Sequence, residues 1–171
     1  MDESKTDRTS GNMLNWIKFI TTFLLALTIA ITIIVLYNAN KPFADVEQAA
    51  IDSVLKTGQL KDVKRADAYQ GSSTWVTVRG VDGDGVEKAV FVGREAEKTY
   101  QEVKLAEGVT AKTAIETVQK ELDVKKVLHA SLGMEEVGPV WEVAFTSKDG
   151  KLNYVYVLFE SGQWWKRILN L

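Results

Sequence analysis

Nineteen consecutive residues from Phe19 to Tyr37 (FITTFLLALTIAITIIVLY) carry no charge, and no other feature constrains this chain as strongly. A helix rises about 1.5 Å per residue, so the run approaches the roughly 30 Å hydrocarbon thickness of a bilayer. Without water, every backbone N–H and C=O in it must pair within the segment, which selects a helix. Thr21, Thr22, Thr28 and Thr32 are compatible, because their hydroxyls can bond carbonyls one turn earlier. Trp16 and Tyr37 bracket the run where amphipathic rings favour the interface, and Lys18 can snorkel to the headgroups.

A cleaved leader is the competing reading. Its apolar core would span about 7–15 residues before a small-x-small site. Cleavage after Ala39 would instead place the bulky Tyr37 at a position requiring a small residue. The run therefore predicts an uncleaved single-pass anchor at 19–37. Lys5, Arg8 and Lys18 precede it against Lys41 and Lys56 just after it, which favours a cytoplasmic tail at 1–18. The remaining chain is then extracellular.

The first 41 residues hold four of the 21 basic and three of the 23 acidic residues, leaving 17 and 20 beyond, a net charge of −3. Nucleic-acid or polybasic lipid recognition needs clustered positive charge and is not expected. The chain has no cysteine, which excludes disulfide staples, thiol nucleophiles and thiolate metal sites.

Beyond a polar joint at 38–42, one pattern occurs twice. Asp45 is placed to cap a helix, with Gln48 as its capping-box partner. Val46, Ala49, Ala50, Val54 and Leu55 follow at helical spacing, and Gly58 suits the position after its end. Strands are expected at 63–69, 74–81, 86–92 and 98–105, with Asp82-Gly83-Asp84-Gly85 as a hairpin turn. Thr110 then caps a second helix, with Val109 and Ala114 as a hydrophobic staple and Ala114, Ile115, Val118 and Leu122 as its apolar stripe. Strands follow at 124–132, 140–146, 152–159 and 163–169.

Trp75 and Trp141 stand 66 residues apart, as do the turn residues Gly83 and Asp149. The expected helix starts near 45 and 110 agree within a residue. A shared offset predicts an internal duplication. The fold class is α+β, with two tandem units at 43–106 and 107–171, each one helix on a four-stranded antiparallel sheet.

The segments EGVTAKTAIETVQKEL (107–122), VWEVAFTSKDG (140–150) and YVYVLFESGQWWKRI (154–168) give the chain a recognisable likeness. It resembles the TseB/YpmB-like family of Gram-positive bacteria, membrane-anchored regulators of cell-wall elongation built from tandem PepSY-like, cystatin-like units. The resemblance implies binding to a penicillin-binding transpeptidase at the outer membrane face and carries over no catalytic residue. The tail here, with Asp2, Glu3 and Asp7, is longer and more acidic than the family pattern.

The chemistry-bearing residues read mostly as structure. His129 is the only histidine, so with no cysteine a metal site would need carboxylates alone, and none cluster at ligand spacing. Asp82, Asp84 and Glu87 imitate the start of a calcium loop. The fifth, sixth and twelfth positions, however, hold Val86, Glu87 and Gly93 instead of an oxygen ligand, glycine and glutamate. Ser72, Ser73, Ser131 and Ser161 lack a nucleophile elbow. Glu135 and Glu136 read as solvated charge in a hairpin loop, since adjacent carboxylates diverge.

Trp164 and Trp165 are the candidate partner-binding residues. Neighbours on a strand point to opposite faces, so one can fill the core while the other covers a second layer or meets a partner. The sequence thus predicts a non-enzymatic, cofactor-free membrane protein that binds an envelope protein and no nucleic acid. The alternatives are an inhibitor or propeptide-like module acting on an envelope protease, an envelope hydrolase, and a small-ligand sensor.

Overall fold

The computed structural model describes residues 6–93 and 99–171, and side chains over 15–37, 44–93 and 99–171. The chain divides into two compact units, Met1–Ala44 and Asp45–Leu171.

Helix α1 spans Thr6–Lys56. Within it, Asn15–Tyr37 is long and apolar enough to cross a membrane, with mean hydropathy 2.7 and none of it buried. The hydroxyls of Thr21, Thr28 and Thr32 donate to the carbonyls of Ile17, Leu24 and Thr28 at 2.8–2.9 Å, so these threonines expose no unpaired donor. The expected joint at 38–42 is helical, which corrects the sequence reading. So is the expected cap at Asp45: in a continuing helix each N–H finds the carbonyl four residues back, and no cap is needed. Gln48 accordingly donates to Asp52 at 2.8 Å instead of reaching back to residue 45. The acidic tail residues Asp2 and Glu3, with Lys5, lie outside the described residues, as does Lys98 at the expected start of the fourth strand.

The helix ends as the sequence predicts. Gly58 takes φ +73°, Gln59 N–H donates to Val54 O and Gly58 N–H to Leu55 O, the paired bonds of a glycine-terminated helix. Strands β1 (Asp62–Gln70), β2 (Thr74–Val81), β3 (Glu87–Gly93) and β4 (Tyr100–Lys104) form an antiparallel sheet in that order. Ala50 and Val54 bury against Val76, Val78, Val90 and Val92 on one face of it. Each fully buried valine contributes about 1.5–3 kcal/mol.

The second half follows the same order. After a 3-10 turn at Leu105–Glu107 comes α2 (Ala111–Glu121), capped by Thr110 Oγ1, which accepts from Thr113 N–H at 3.2 Å. Strands β5 (Val124–Glu135), β6 (Gly138–Ser147), β7 (Leu152–Leu158) and β8 (Trp164–Ile168) form a second four-stranded antiparallel sheet. Ala114 and Val118 pack on Trp141, Val143, Phe145, Val155 and Val157.

The repeat distance is 65, not 66. Val81 pairs with Glu87 and Thr146 with Leu152 at the two hairpin closures, and the positive-φ glycines Gly85 and Gly150 sit at the same offset. Val76 and Val78, which face α1, therefore correspond to Trp141 and Val143, which face α2. Trp75 corresponds to Val140, on the other face. A one-residue slip exchanges the faces of a strand, so matching Trp75 with Trp141 inverts the sheet.

The two sheets meet through β1 and β5. Tyr69 pairs with Trp75 and Gly133 with Val140, so Tyr69 and Gly133 hold the same place in their sheets. They also touch: a Cβ added at Gly133 would fall 2.3 Å from the Tyr69 ring. Thr77 reinforces the joint by donating to Leu132 O at 2.7 Å.

Candidate functional site

The two faces of the second sheet are used differently. One carries Trp141, Val143 and Phe145 into the core beneath α2. Directly paired residues share a face, and the other face carries, beside the row of Gly133, Val140 and Leu158, three further cross-strand rows. Lys126, Thr146 and Leu152 form the first, His129, Ala144, Tyr154 and Ile168 the second, and Ser131, Glu142, Tyr156 and Lys166 the third. Among the described residues no helix covers this second face. Tyr69, Val140 and Tyr156 form a buried cluster at one end of it, flanked by Trp75, Tyr154, Leu158, Trp165 and Ile168.

Trp164 and Trp165 do point apart. Trp164 pairs with Val157 and packs against the core, with Arg167 4.7 Å over its ring. Trp165 points to the open face, where it meets Tyr156 edge-on at 6.1 Å, and a bulge opposite Tyr156 and Val157 brings Lys166 onto the same face. Both indoles are half-buried. Lys166 Nζ lies 5.5 Å from the Tyr156 ring and 5.8 Å from Trp165, a doubled cation–π contact.

The carboxylates beneath this surface are recessed. Glu142 lies 3.1 Å from His129 Nε2, and its side chain is 12% exposed. Burial pushes the Tyr156 hydroxyl well above the usual phenol range, and the charge and hydrogen bond of Glu142 push it further. Glu135 departs from its expected place in a solvated loop: it ends β5 and is 7% exposed. Its Oε1 accepts from the Tyr69 hydroxyl at 2.7 Å, and both oxygens accept from Ser72 N–H at 3.2–3.3 Å. Tyr69 too is held protonated, first by burial and then by the bond to Glu135. Gly71 makes the approach feasible, since a Cβ there would fall 1.9 Å from Glu135 Oε1. Glu136 remains exposed.

The other candidates have structural places. Asp82 accepts from Asp84 and Val86 N–H at 3.0 and 2.9 Å and pairs with Lys88 at 3.0 Å, so its carboxylate holds the turn. Those bonds, the Val86 one first, set its pKa below the usual carboxylate value. Among the described residues no group of three acidic or histidine side chains gathers at metal-binding distance. A cleft of about 570 Å³ is walled by Leu105, Val109, Trp141 and Phe159; the Trp141 indole in it donates to Val109 O at 2.8 Å. The Tyr154-x-Tyr156 spacing, which puts two rings on one strand face, was the available sequence signal for the aromatic surface. Glu135 gave none, because its partner is 66 residues away.

Three comparisons bear on identity. A family model described as "Cell wall elongation regulator TseB-like domain" matches residues 49–93. The chain is 26% identical over 121 residues to the "Probable cell wall elongation regulator TseB" of Bacillus subtilis (strain 168), spanning 71% of this chain and 75% of that protein. The solved structure of "YpmB protein from Bacillus subtilis" superposes with a TM-score of 0.65 at 26% identity, over 71% of this chain and 94% of that one. Sequence and fold agree on one relationship: the chain is similar to TseB and YpmB of Bacillus subtilis in both.

Proposed function

We propose that this protein is a membrane-anchored, non-catalytic regulator of cell wall elongation whose extracytoplasmic body binds a cell-wall synthase of the penicillin-binding transpeptidase class. Similarity to a probable elongation regulator across 121 residues carries the regulatory reading. The apolar helix at Asn15–Tyr37 supports a single-pass anchor, and the bulky Tyr37 and the basic residues Lys5, Arg8 and Lys18 support its being uncleaved with a cytoplasmic tail at 1–18. Anchoring confines the body to two dimensions and raises its effective concentration near other membrane proteins, so a modest interface suffices. Trp165, on the open face of β8, is the proposed contact, and Trp164 braces it from the core side.

The test is co-reconstitution of the full chain with a purified elongation transpeptidase in lipid nanodiscs, with binding read by fluorescence energy transfer. Association is expected in the shared bilayer, and it should weaken by at least tenfold when residues 1–41 are removed. Equal binding with and without the anchor overturns the tethering mechanism. No association in the shared bilayer overturns the assignment of partner.

A further inference from the structure

The two sheets treat their cations differently. On the first, every strand cation has a carboxylate: Lys64 meets Glu87, Arg65 and Arg79 share Asp67, Lys88 bridges Asp82 and Glu102, and Lys104 meets Glu107. On the second, the strand cations Lys125, Lys126, Lys166 and Arg167 are all exposed, and none has an ion-pair partner among the described residues. The only acids on those strands, Glu135 and Glu142, are the recessed pair. The solvent-facing formal charge of the second sheet is therefore wholly positive, on a chain of net charge −2. General basicity does not account for it.

Two of these cations share the open face with the aromatic surface: Lys126 by its pairing with Thr146, and Lys166 by its pairing with Tyr156. They stand three strands apart, about 14 Å across the sheet, and four residues, about 13 Å, along it. Tyr154 lies between them, and Trp165 flanks Lys166 on its far side. We propose that this face docks an acidic segment of a partner protein, whose carboxylates pair with Lys126 and Lys166 and whose apolar side chains cover Tyr154 and Trp165. The proposal rests on the regulator reading and deepens it by naming the face and the chemistry of the contact. The diagonal is about 20 Å, the span of about six extended residues. Wide spacing around an aromatic centre favours a peptide over a polyphosphate or a lipid surface, both of which reward dense positive charge. Lys166 now rests on Tyr156 and Trp165, and exchanging that contact for a carboxylate uncovers the rings for the apolar part of the segment.

The probe is a fluorescein-labelled peptide alternating glutamate with leucine, titrated against the full chain in zwitterionic nanodiscs. Saturable binding is expected, with affinity falling as salt rises. Lys126→Glu with Lys166→Glu should weaken it at least tenfold and flatten the salt dependence, while Lys64→Glu on the first sheet leaves it unchanged. Both altered lysines are exposed, so folding is expected to survive; a melting curve verifies this, and the milder Lys→Gln pair gives an intermediate loss. Equal binding of a lysine–leucine peptide, an unaffected double variant, or no binding at about 1 mM peptide overturns the proposal. So does displacement of the peptide by phosphatidylglycerol vesicles or polyphosphate, or by self-association of the chain. Peptide binding without transpeptidase binding sinks only the regulator reading. Transpeptidase binding that ignores the double variant sinks only the docking face.

Discussion

The Tyr69 hydroxyl lies 2.7 Å from Glu135 Oε1, joining the last turns of β1 and β5 across 66 residues of sequence. Glu135 is buried, so its carboxylate depends on this donor and on Ser72 N–H. Tyr69→Phe keeps the ring on Gly133 but removes the donor. Leaving a buried charged acceptor short of a partner costs about 1–3 kcal/mol. Urea unfolding of the full chain in detergent micelles should show that loss. Glu135→Gln combined with Tyr69→Phe should cost less than the two singles together, because they remove one interaction.

Gly133→Ala tests the close approach on the other side of the same ring. The new Cβ would fall 2.3 Å from Tyr69 Cε2, with the ring pinned at its hydroxyl, so the sheets must separate. Overpacking of this kind typically costs about 1–3 kcal/mol. Tyr69→Ala in the same chain should relieve the clash and partly rescue the melting temperature of the glycine variant, though not of the wild type.

Stability should fall in alkali. The folded-state pKa of Tyr69 and of Tyr156 is raised, so the unfolded chain releases these protons first. The contribution is complete below the ordinary phenol value near pH 10 and is lost as pH rises beyond it. In an absorbance titration near 295 nm, two of the five tyrosines should ionise only with unfolding. The Tyr69→Phe, Tyr156→Phe double variant should lose this late step. Asp82 acts in the opposite direction: its pKa is lowered, so its hold on the β2–β3 turn is present above about pH 4 and lost below it.

Trp164 and Trp165 should separate stability from binding. Trp164 packs into the core and its indole N–H is buried without a hydrogen bond among the described residues, so Trp164→Phe should be tolerated within about 1.5 kcal/mol. Trp164→Ala should cost about 3–5 kcal/mol. Trp165→Ala should shift the unfolding midpoint less and reduce partner association more. The reverse ranking in paired unfolding and nanodisc assays would move the contact to the helix-covered side.

Much of this architecture was legible locally. The Asp82–Gly85 turn, the Thr110 cap and the glycine end at Gly58 each depend on residues within one turn of themselves, and the structure shows them where expected. The apolar alternation of 140–146 placed Trp141, Val143 and Phe145 on one face correctly. The errors arose where a local pattern had a long-range competitor. Asp45 and Gln48 spell a capping box, but a helix arriving from upstream already supplies the carbonyls. Glu135 sits between glycines, as loop charge does, yet Tyr69 and the 71–72 backbone enclose it. Aligning Trp with Trp favoured an offset of 66, whereas the pairing ladder keeps 65 because face matters more than residue type. The opposed directions of Trp164 and Trp165 followed from strand geometry alone, but the bulge that adds Lys166 to the face of Trp165 did not.

Tyr69 and Gly133 occupy matching places yet differ widely in bulk. Two tyrosines there would collide, and two glycines would leave a void. Each half is thus cut to fit the other and not itself, so a fragment holding one repeat should be a poor mate for its own twin. The likeness of the two halves therefore stops at their junction, which has a fixed left and right.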